Sequence, residues 1–523
     1  MSEEPYLLGV DYGTEGVRVG IFDREGSPLA LTSREYTLRH PRPGWAEQDP
    51  DEWWSSLVAA TREAVHSSGV TPGEISGISV DATSSTVLSM DNKDRHMLPA
   101  IMWMDVRASD QARRISETGD PALKYSGYGS VSAEWGLPKA LWIKENEPEI
   151  FRDAARICDC TDWVINRLTG EWASSINIVS TKYYYDRARG GYPENLYATV
   201  GIEDVLEKFP PSVLDLGEVV GGLTGEASEE LGLQAGTPVA QGALDAYSGA
   251  LGLGVVEPGK LALITGSSHV MIGQAPEPIY GQGLWGAYTD ALVPGQYTVE
   301  GGQASTGSVV AWFKNRFAGD AKAEANRRGV DAYEVLNEMA REVPIGSDGL
   351  IVVDYFQGNR TPHTDPLVRG MMWGLSLSHG PGHFFRAILE GICYGTEHIF
   401  RTMREHGFEP REIVVAGGPT RSELWMQMHA DVSNMPITLT RMGGVAPVLG
   451  SAMLAAVGAG IYPDVPTAAE NMVHVESTIE PDPEAHEEYG FYLERYIETY
   501  PRMKDLMHET THHVSGNPVG TSS

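Results

Sequence analysis

The chain has 523 residues, 41% hydrophobic and 21% charged, the composition of an ordinary soluble globular protein but too long for one core, so two or more domains with a cleft between them are expected. With 39 Lys and Arg against 71 Asp and Glu, the formal net charge is −32, which argues against nucleic acid or an anionic membrane as main partner, since both demand basic patches. An anionic ligand must then be met locally, by backbone amides, a helix N-terminus, a bound cation or a few placed lysines.

From residue 6, "YLLGVD", "VRVGIFD" and "LALTSREYTL" read as three short strands joined by "YGTEG" and "REGSP" turns, an antiparallel meander. A helix follows in "DPDEWWSSLVAATREAVHSSG", with Asp49 as N-cap, Pro50 at the first helical position, Trp54, Leu57, Val58 and Val65 at helical spacing, and Gly69 at its end. "EISGISVDATSSTVLSMD" gives a strand, a polar turn and another strand. The plan recurs near residue 260: "GKLALITGSSHVMIGQ" is strand, Gly-Ser turn, strand, and "GQYTVEGGQ" adds a third before helical sequence. Two copies of one plan suggest duplication. The second copy continues through a long helix at 381–406, a strand in "REIVVAGGP", a helix from Ser422 to about Val432 and a strand in "PITLT", which is α/β alternation on a mixed sheet. The uncharged run 443–462 is rich in small residues with an internal proline, and reads as a buried helix packed closely on a sheet rather than a membrane span. The boundary is placed near 256, in "GVVEPGK", giving domains 1–256 and 257–523. The end from about residue 505 is expected to be poorly ordered, with His512 and His513 as solvated tail residues.

The cysteines are Cys158, Cys160 and Cys393; the first two lack the spacer of zinc or redox motifs, so no metal or disulfide framework is supported and a reducing cytoplasm fits. The start, "MSEEPYLL", has no signal-peptide pattern.

Chemistry concentrates in glycine-rich turns. "LLGVDYGTEGVRVGIFDREG", residues 7–26, ends an apolar run on Asp11 and follows it with Gly13 and Thr14. It matches neither a Walker loop nor G-x-G-x-x-G, and alone it is an ordinary hairpin. Its echo, Thr265-Gly266-Ser267, offers a second set of exposed N–H groups, so that the two hairpins can clamp a polyphosphate. Gly417-Gly418, between strand and helix, lets backbone approach a planar ligand. Each pair taken singly is also what a simple turn needs.

Together these residues resemble the FGGY carbohydrate kinases. "GMMWGLSLSHGPGHFFRAILE", residues 370–390, fits every position of that family's C-terminal signature: Gly370, Met372, Gly374-Leu375, seven residues, His383-Phe384, Ala387-Ile388-Leu389 and Glu390. The N-terminal signature is matched in part, with Lys139 and "WIKEN" from Trp142 in place and Glu134, Gly136 and Ala140 departing from it. "SAEWGLPK" (132–139), "DATSST" (81–86) and "DYFQGNRTPHTDP" (354–366) are similar to ribulokinases and point to the pentulose branch. The likeness runs from the first hairpin to about residue 460.

The resemblance implies an α/β fold of two duplicated ribonuclease-H-like domains, of actin and hexokinase type, around a ligand cleft, with sugar, first hairpin and catalytic aspartate in 1–256 and nucleotide in 257–523. It implies ATP and Mg2+ as cosubstrate and cofactor, and a small sugar as partner; a homodimer is compatible with it, and the sequence leaves oligomeric state open. Asp245, in "QGALDAYSGALG", takes the place of the family's base. Its position where strand becomes helix lets the helix dipole keep it ionised, an N-capping aspartate being the alternative. Asp11, otherwise a turn initiator, resembles the aspartate that holds the metal through water, beside Asp245. Gly13, Thr14, Thr265, Gly266, Ser267, Gly307, Gly417 and Gly418 resemble nucleotide-binding positions, and Ser422 stands where relatives often carry asparagine, which leaves adenine contact open. Ser84, Lys182, Asp245 and Glu300 are implied for the sugar, against a solvated lysine and an exposed strand-end glutamate as alternatives. Asp105 and Arg107 can pair with each other and are left out of the site. The expected reaction is phosphorylation of a primary hydroxyl of a ketopentose, most simply ribulose. Xylulose, a branched ketopentose or an erythritol- or ribitol-type polyol are the competing acceptors, and an actin- or chaperone-like nucleotide switch is the competing class.

Overall fold

The computed structural model describes residues 5–514. In the first half, β1 (Tyr6–Tyr12), β2 (Gly16–Phe22) and β3 (Pro28–Glu35) form the expected antiparallel meander. The helix α1 (Pro50–Ser68) covers it. Asp49 Oδ1 accepts from the Asp51 amide at 3.1 Å, Pro50 occupies the first turn, and Gly69 closes the helix at φ 72°, a left-handed cap only glycine adopts without strain. Trp53, Leu57, Ala60 and Ala64 form its buried stripe, with Val58 and Val65 half-buried at the flanks. Next, β4 (Ile75–Ala82) pairs parallel with β1. Farther along the chain come β5 (Val219–Gly222) and β6 (Pro238–Ala240), which complete the sheet order β5-β6-β4-β1-β2-β3.

The second half repeats the plan. β7 (Lys260–Thr265), β8 (His269–Ala275), β9 (Trp285–Thr289) and β10 (Tyr297–Gln303) precede β11 (Glu412–Gly417), β12 (Ile437–Thr440) and β13 (Val475–Ile479), in the order β9-β10-β8-β7-β11-β12-β13. β7 is antiparallel to β8 and parallel to β11, just as β1 is antiparallel to β2 and parallel to β4. Each sheet also closes on an antiparallel outer strand, β5 on β6 and β13 on β12. Duplication of one α/β unit, the ribonuclease-H-like plan, therefore holds at the level of pairing. The edge strand β9 has no counterpart in the first sheet among the described residues.

Helix α2 (Ile176–Lys182) ends on a buried lysine, α3 (Asp245–Gly252) follows β6, and α4 (Gly307–Arg316) follows β10. α5 (Pro381–Glu405) and α6 (Glu423–Ser433) flank β11 in sequence. The small-residue segment is α7 (Ala446–Gly458), buried as expected. It packs on β1 and β4, the sheet of the other half, and against α3. A Cβ at Gly450 would lie 1.9 Å from the Ser248 carbonyl oxygen, so the absence of a side chain there sets how closely these two helices meet. The division of the sequence at 256 is thus crossed in space by α7. No helix among the described residues is long and apolar enough to cross a membrane.

The expected disordered end is corrected in part. α8 (Pro483–Val514) is one helix, and residues 505–514 are its last turns. Tyr489, Leu493, Tyr496 and Tyr500 bury a stripe against the second core. The last turns are tied down where His508 Nε2 meets Asp365 Oδ2 at 2.6 Å and the Thr511 hydroxyl donates to the Leu367 carbonyl at 2.7 Å. His512 is half-buried and His513 exposed on this helix. Residues 515–523 of the expected tail lie outside the described residues.

Candidate active site

The first cluster is carboxylic. Asp11 on β1 and Asp81 on β4 are register partners of the parallel pair, and both are buried. Arg18 Nη1 donates to Asp11 Oδ2 at 2.8 Å, and the Ser451 hydroxyl of α7 donates to Asp81 Oδ2 at 2.6 Å. Asp245 opens α3 but does not cap it: Leu244 holds the N-cap position, and Asp245 Oδ1 accepts the adjacent Ala246 amide at 2.7 Å. Burial first, and then the negative charge of Asp11, push Asp245 up to about 7. The expectation that the helix N-terminus keeps this carboxyl ionised is therefore corrected in part, because desolvation and a like charge outweigh the dipole and leave it half-protonated near neutral pH. Burial likewise raises Asp11 and Asp81. Three carboxyls against one guanidinium is a donor set that fits a hydrated divalent cation.

The first hairpin is held in shape by its neighbours. The Gly13 amide donates to the Gly16 carbonyl at 3.0 Å, the Tyr36 hydroxyl donates to the Gly13 carbonyl, and Gln48 Nε2 donates to the Thr14 carbonyl at 2.7 Å. Trp103 Nε1 donates to Thr14 Oγ1 at 3.0 Å, which leaves the hydroxyl proton of Thr14 to donate elsewhere.

In the second hairpin Gly266 and Ser267 are exposed. Thr265 is not, and its hydroxyl donates to the Ala416 carbonyl at 2.5 Å, so it fastens β7 to β11 instead of reaching the cleft. The Gly266 carbonyl accepts the Gly307 amide at 3.2 Å, and the Ser267 carbonyl accepts Thr306 and Ser308 amides at 2.9 and 3.2 Å. A Cβ on Gly307 would sit 2.2 Å from the Gly266 oxygen, and one on Gly417 (φ 108°) 1.9 Å from the Thr265 oxygen. Hairpin, α4 N-terminus and β11 turn are thus one continuous backbone surface. A Cβ on Gly418 would meet nothing within 4 Å, leaving that backbone open. Ser422 caps α6, accepting the Trp425 amide at 3.3 Å and donating to Asn337 Oδ1 at 3.0 Å; its hydroxyl is committed to the helix.

The third cluster is polar and buried, and lies beyond Asp245. Lys182 Nζ lies 5.1 Å from the Trp285 ring and 5.6 Å from Trp135, two indoles packed edge to face at 5.4 Å. Among the described residues its ammonium has no hydrogen-bond acceptor. Burial lowers its pKa, while the charges of Glu300 and Asp245 oppose that shift. Glu300 is buried in the middle of β10; its Oε2 accepts the Tyr247 hydroxyl at 3.0 Å and its Oε1 accepts Arg360 Nη2 at 2.9 Å. Neither side chain is the solvated lysine or exposed strand-end glutamate of the alternatives. Ser84, half-buried, sits in a turn held by Lys139. The Lys139 ammonium is enclosed and donates to the carbonyls of Ser85, Met102, Trp103 and Glu134 at 2.7, 2.7, 3.1 and 3.1 Å. Arg107 clasps Asp105 through Nε–Oδ1 at 2.9 Å and Nη2–Oδ2 at 2.7 Å, a structural pair. Glu390, the last residue of the C-terminal signature, is also structural, accepting from the Gly346 amide, the Ser347 hydroxyl and Arg386 Nε at 3.1, 2.9 and 2.7 Å.

Sequence reasoning missed Asp81, Tyr247, Trp285 and Arg360. Asp81 and Arg360 lie inside motifs already noted, "DATSST" and "GNRTP", but their roles come from cross-strand register and long-range pairing. Trp285 lies on the unread strand β9, whose pairing with β10 shifts register between Trp285 and Tyr288, which blurs the alternation a strand shows.

A duplicated α/β fold that brings together two glycine-rich hairpins, a buried carboxylate cluster and a buried lysine and glutamate has the plan of a two-domain sugar kinase. Residues 6–252 match the N-terminal domain of the FGGY family of carbohydrate kinases, and residues 261–459 its C-terminal domain. The chain belongs to that family, whose members use ATP as cosubstrate. It is 32% identical to the FGGY carbohydrate kinase domain-containing protein of Xenopus laevis, covering 95% of this chain and 96% of that one. It is 31% identical to the ribulokinase of Anoxybacillus flavithermus, covering 96% and 94%. Among solved structures, xylulose kinase from Rhodospirillum rubrum superposes with a TM-score of 0.84 at 30% identity, over 96% of this chain and 100% of that one.

Proposed function

We propose that this kinase transfers the γ-phosphoryl group of Mg2+-ATP to a primary hydroxyl of a ketopentose, ribulose being the first choice. The observation that carries the reading is the pocket itself. A buried lysine, without a hydrogen-bond acceptor among the described residues, lies against a pair of packed indoles and in the field of a buried glutamate and of Asp245. Such a pocket offers a charged donor and a charged acceptor to a short chain of hydroxyls, with the apolar ring walls shielding them from water.

Asp245 Oδ2 takes the proton of the attacking hydroxyl as its oxygen bonds to the γ-phosphorus and the bond to the ADP oxygen breaks. A carboxyl near 7 is well matched to that task at neutral pH. Thr14 and Ser267 present their hydroxyls and backbone to the phosphates from turns closed by the Gly13 and Gly266 amides, Gly417 lets β11 approach Thr265, and Gly418 leaves space for the nucleoside. Asp11 and Asp245 would hold Mg2+ through its water shell, supplying charge neutralisation on the phosphates. The likeness of "DATSST" and "SAEWGLPK" to ribulokinases supports the pentulose choice. The same reading takes the enzyme to be cytoplasmic, its three cysteines being free and buried, and makes a homodimer the assembly to test by light scattering.

An ADP-release assay with Mg2+-ATP across ketopentoses, tetruloses and alditols, ranked by kcat/KM, tests the substrate. Ribulose is expected first. Xylulose or a polyol at the head of the ranking overturns the ribulose choice, and ADP release that no acceptor raises above background, with no phosphorylated product, removes the sugar reading altogether.

A further inference from the structure

Arg360 reaches the pocket from the 354–366 segment and is fixed on two sides. Its Nη2 donates to Glu300 Oε1 at 2.9 Å, and its guanidinium carbon lies 3.8 Å from the Trp285 ring centroid, over the face. Glu300 is 4% exposed at its side chain and Arg360 26%, so the carboxylate is the deeper partner and the arginine closes over it. The other Glu300 oxygen holds the Tyr247 hydroxyl at 3.0 Å. Across the pocket, the Lys182 ammonium is drawn on by Glu300, Glu134 and Asp245 together. The charges around the acceptor are therefore two cations, Lys182 and Arg360, against the carboxylates of Glu300, Glu134 and Asp245.

We propose that Arg360 is a positioning residue that sets the charge selectivity of the acceptor pocket. By pairing with Glu300 and stacking on Trp285, it presents that wall as an internal ion pair, so the site takes an uncharged polyhydroxy acceptor and rejects a sugar acid of the same length. An incoming carboxylate enters a lining that is already negative on balance: Arg360 is engaged by Glu300, and Lys182, the cation left to receive it, already lies in the field of Glu300, Glu134 and Asp245; like charges in a desolvated site repel strongly. With Glu300 neutral, the guanidinium, still held on the indole by cation–π contact, has its fork available for a carboxylate. The inference rests on the kinase reading of Lys182, Glu300 and Asp245.

The test compares a ketopentose with a five-carbon aldonate as acceptors for the wild type, Arg360→Leu, Arg360→Lys and Glu300→Gln, with melting temperatures recorded for each. Arg360→Leu is expected to raise KM for the ketopentose by about tenfold or more, the loss of a charged hydrogen bond, with kcat changed less and KM for ATP unchanged. Arg360→Lys should recover part of that loss, though not the fork or the stacking. In Glu300→Gln the ratio of kcat/KM for aldonate over ketopentose should rise by about tenfold or more. If the wild type turns over the ketopentose and neither the Arg360 variants' KM nor the Glu300→Gln ratio moves, the selectivity role is wrong while the kinase reading stands. If the wild type turns over no neutral acceptor, the kinase reading fails and takes the inference with it.

Discussion

Replacing Asp245 by asparagine keeps the shape of the side chain and removes both its charge and its basicity. Loss of a general base costs about a hundred- to ten-thousand-fold in rate, or roughly 3 to 5 kcal/mol of transition-state stabilisation. The same substitution should make the fold more stable. A carboxyl whose native value is raised from 3.8 to about 7 binds its proton more tightly folded than unfolded. Its favourable contribution is thus complete below pH 3.8 and is lost as pH rises through about 7, so ionisation at neutral pH opposes folding by up to about 4 kcal/mol. Asp245→Asn removes that opposition. Its melting temperature in chelator at pH 8 should exceed the wild type's by roughly 2 °C or more, while coupled ADP release falls and ATP affinity by calorimetry persists. In the wild type, kcat/KM should climb with pH through about 7, the midpoint belonging to the free enzyme, and the kcat limb should lie lower because bound Mg2+ favours the carboxylate. Turnover of Asp245→Asn within tenfold of wild type would refute the base assignment, and a lower melting temperature would refute the electrostatic reasoning.

Lys182→Met should raise KM for the acceptor by about tenfold to a hundredfold with KM for ATP unchanged, and should raise the melting temperature, because a buried ammonium without an acceptor gives way to an apolar chain; steady-state kinetics and scanning fluorimetry read both. Gly307→Ala places a methyl 2.2 Å from the Gly266 oxygen, so hairpin and α4 must separate, and KM for ATP should rise while KM for the sugar changes less. Lys139→Met leaves four carbonyls, two of them buried, without their lysine donor and should destabilise by about 3 kcal/mol or more, visible in denaturant midpoints, with looser acceptor binding through the Ser84 turn.

What local chemistry determines was legible, and what distant pairing determines was not. Hairpins, helix caps and the repeat of strand, turn and strand follow from a few adjacent residues. They put Gly13 and Gly266 in turns between paired strands, Asp11 at the end of a strand, Asp245 at the start of a helix and Gly418 just after a strand, which is where the fold has them; their roles came from the family resemblance. The buried run at 443–462 was equally plain as a small-residue helix, but small residues fit closely against any sheet, and only the fold shows α7 lying on β1 and β4 of the other half. The end of α8 looked disordered because its composition is polar, whereas Asp365, 143 residues away from His508, anchors it. Hydroxyls show the same limit. Thr265 and Ser422 have the right chemistry in the right places, yet each donates its proton to a neighbour, the Ala416 carbonyl and Asn337 Oδ1, that the local sequence does not reveal. The ionisation of Asp245 shows the same division most sharply. The helix N-terminus that favours its charge is a local feature, but Asp11, more than two hundred residues earlier in the chain, and the burial imposed by packing both oppose it. Which residues can reach a ligand is therefore written locally, while their charge and the partners that hold them depend on how the two copies close on each other; Arg360, stacked on a strand with no counterpart in the first sheet among the described residues, is a case where the second kind of information decides which acceptor the pocket admits.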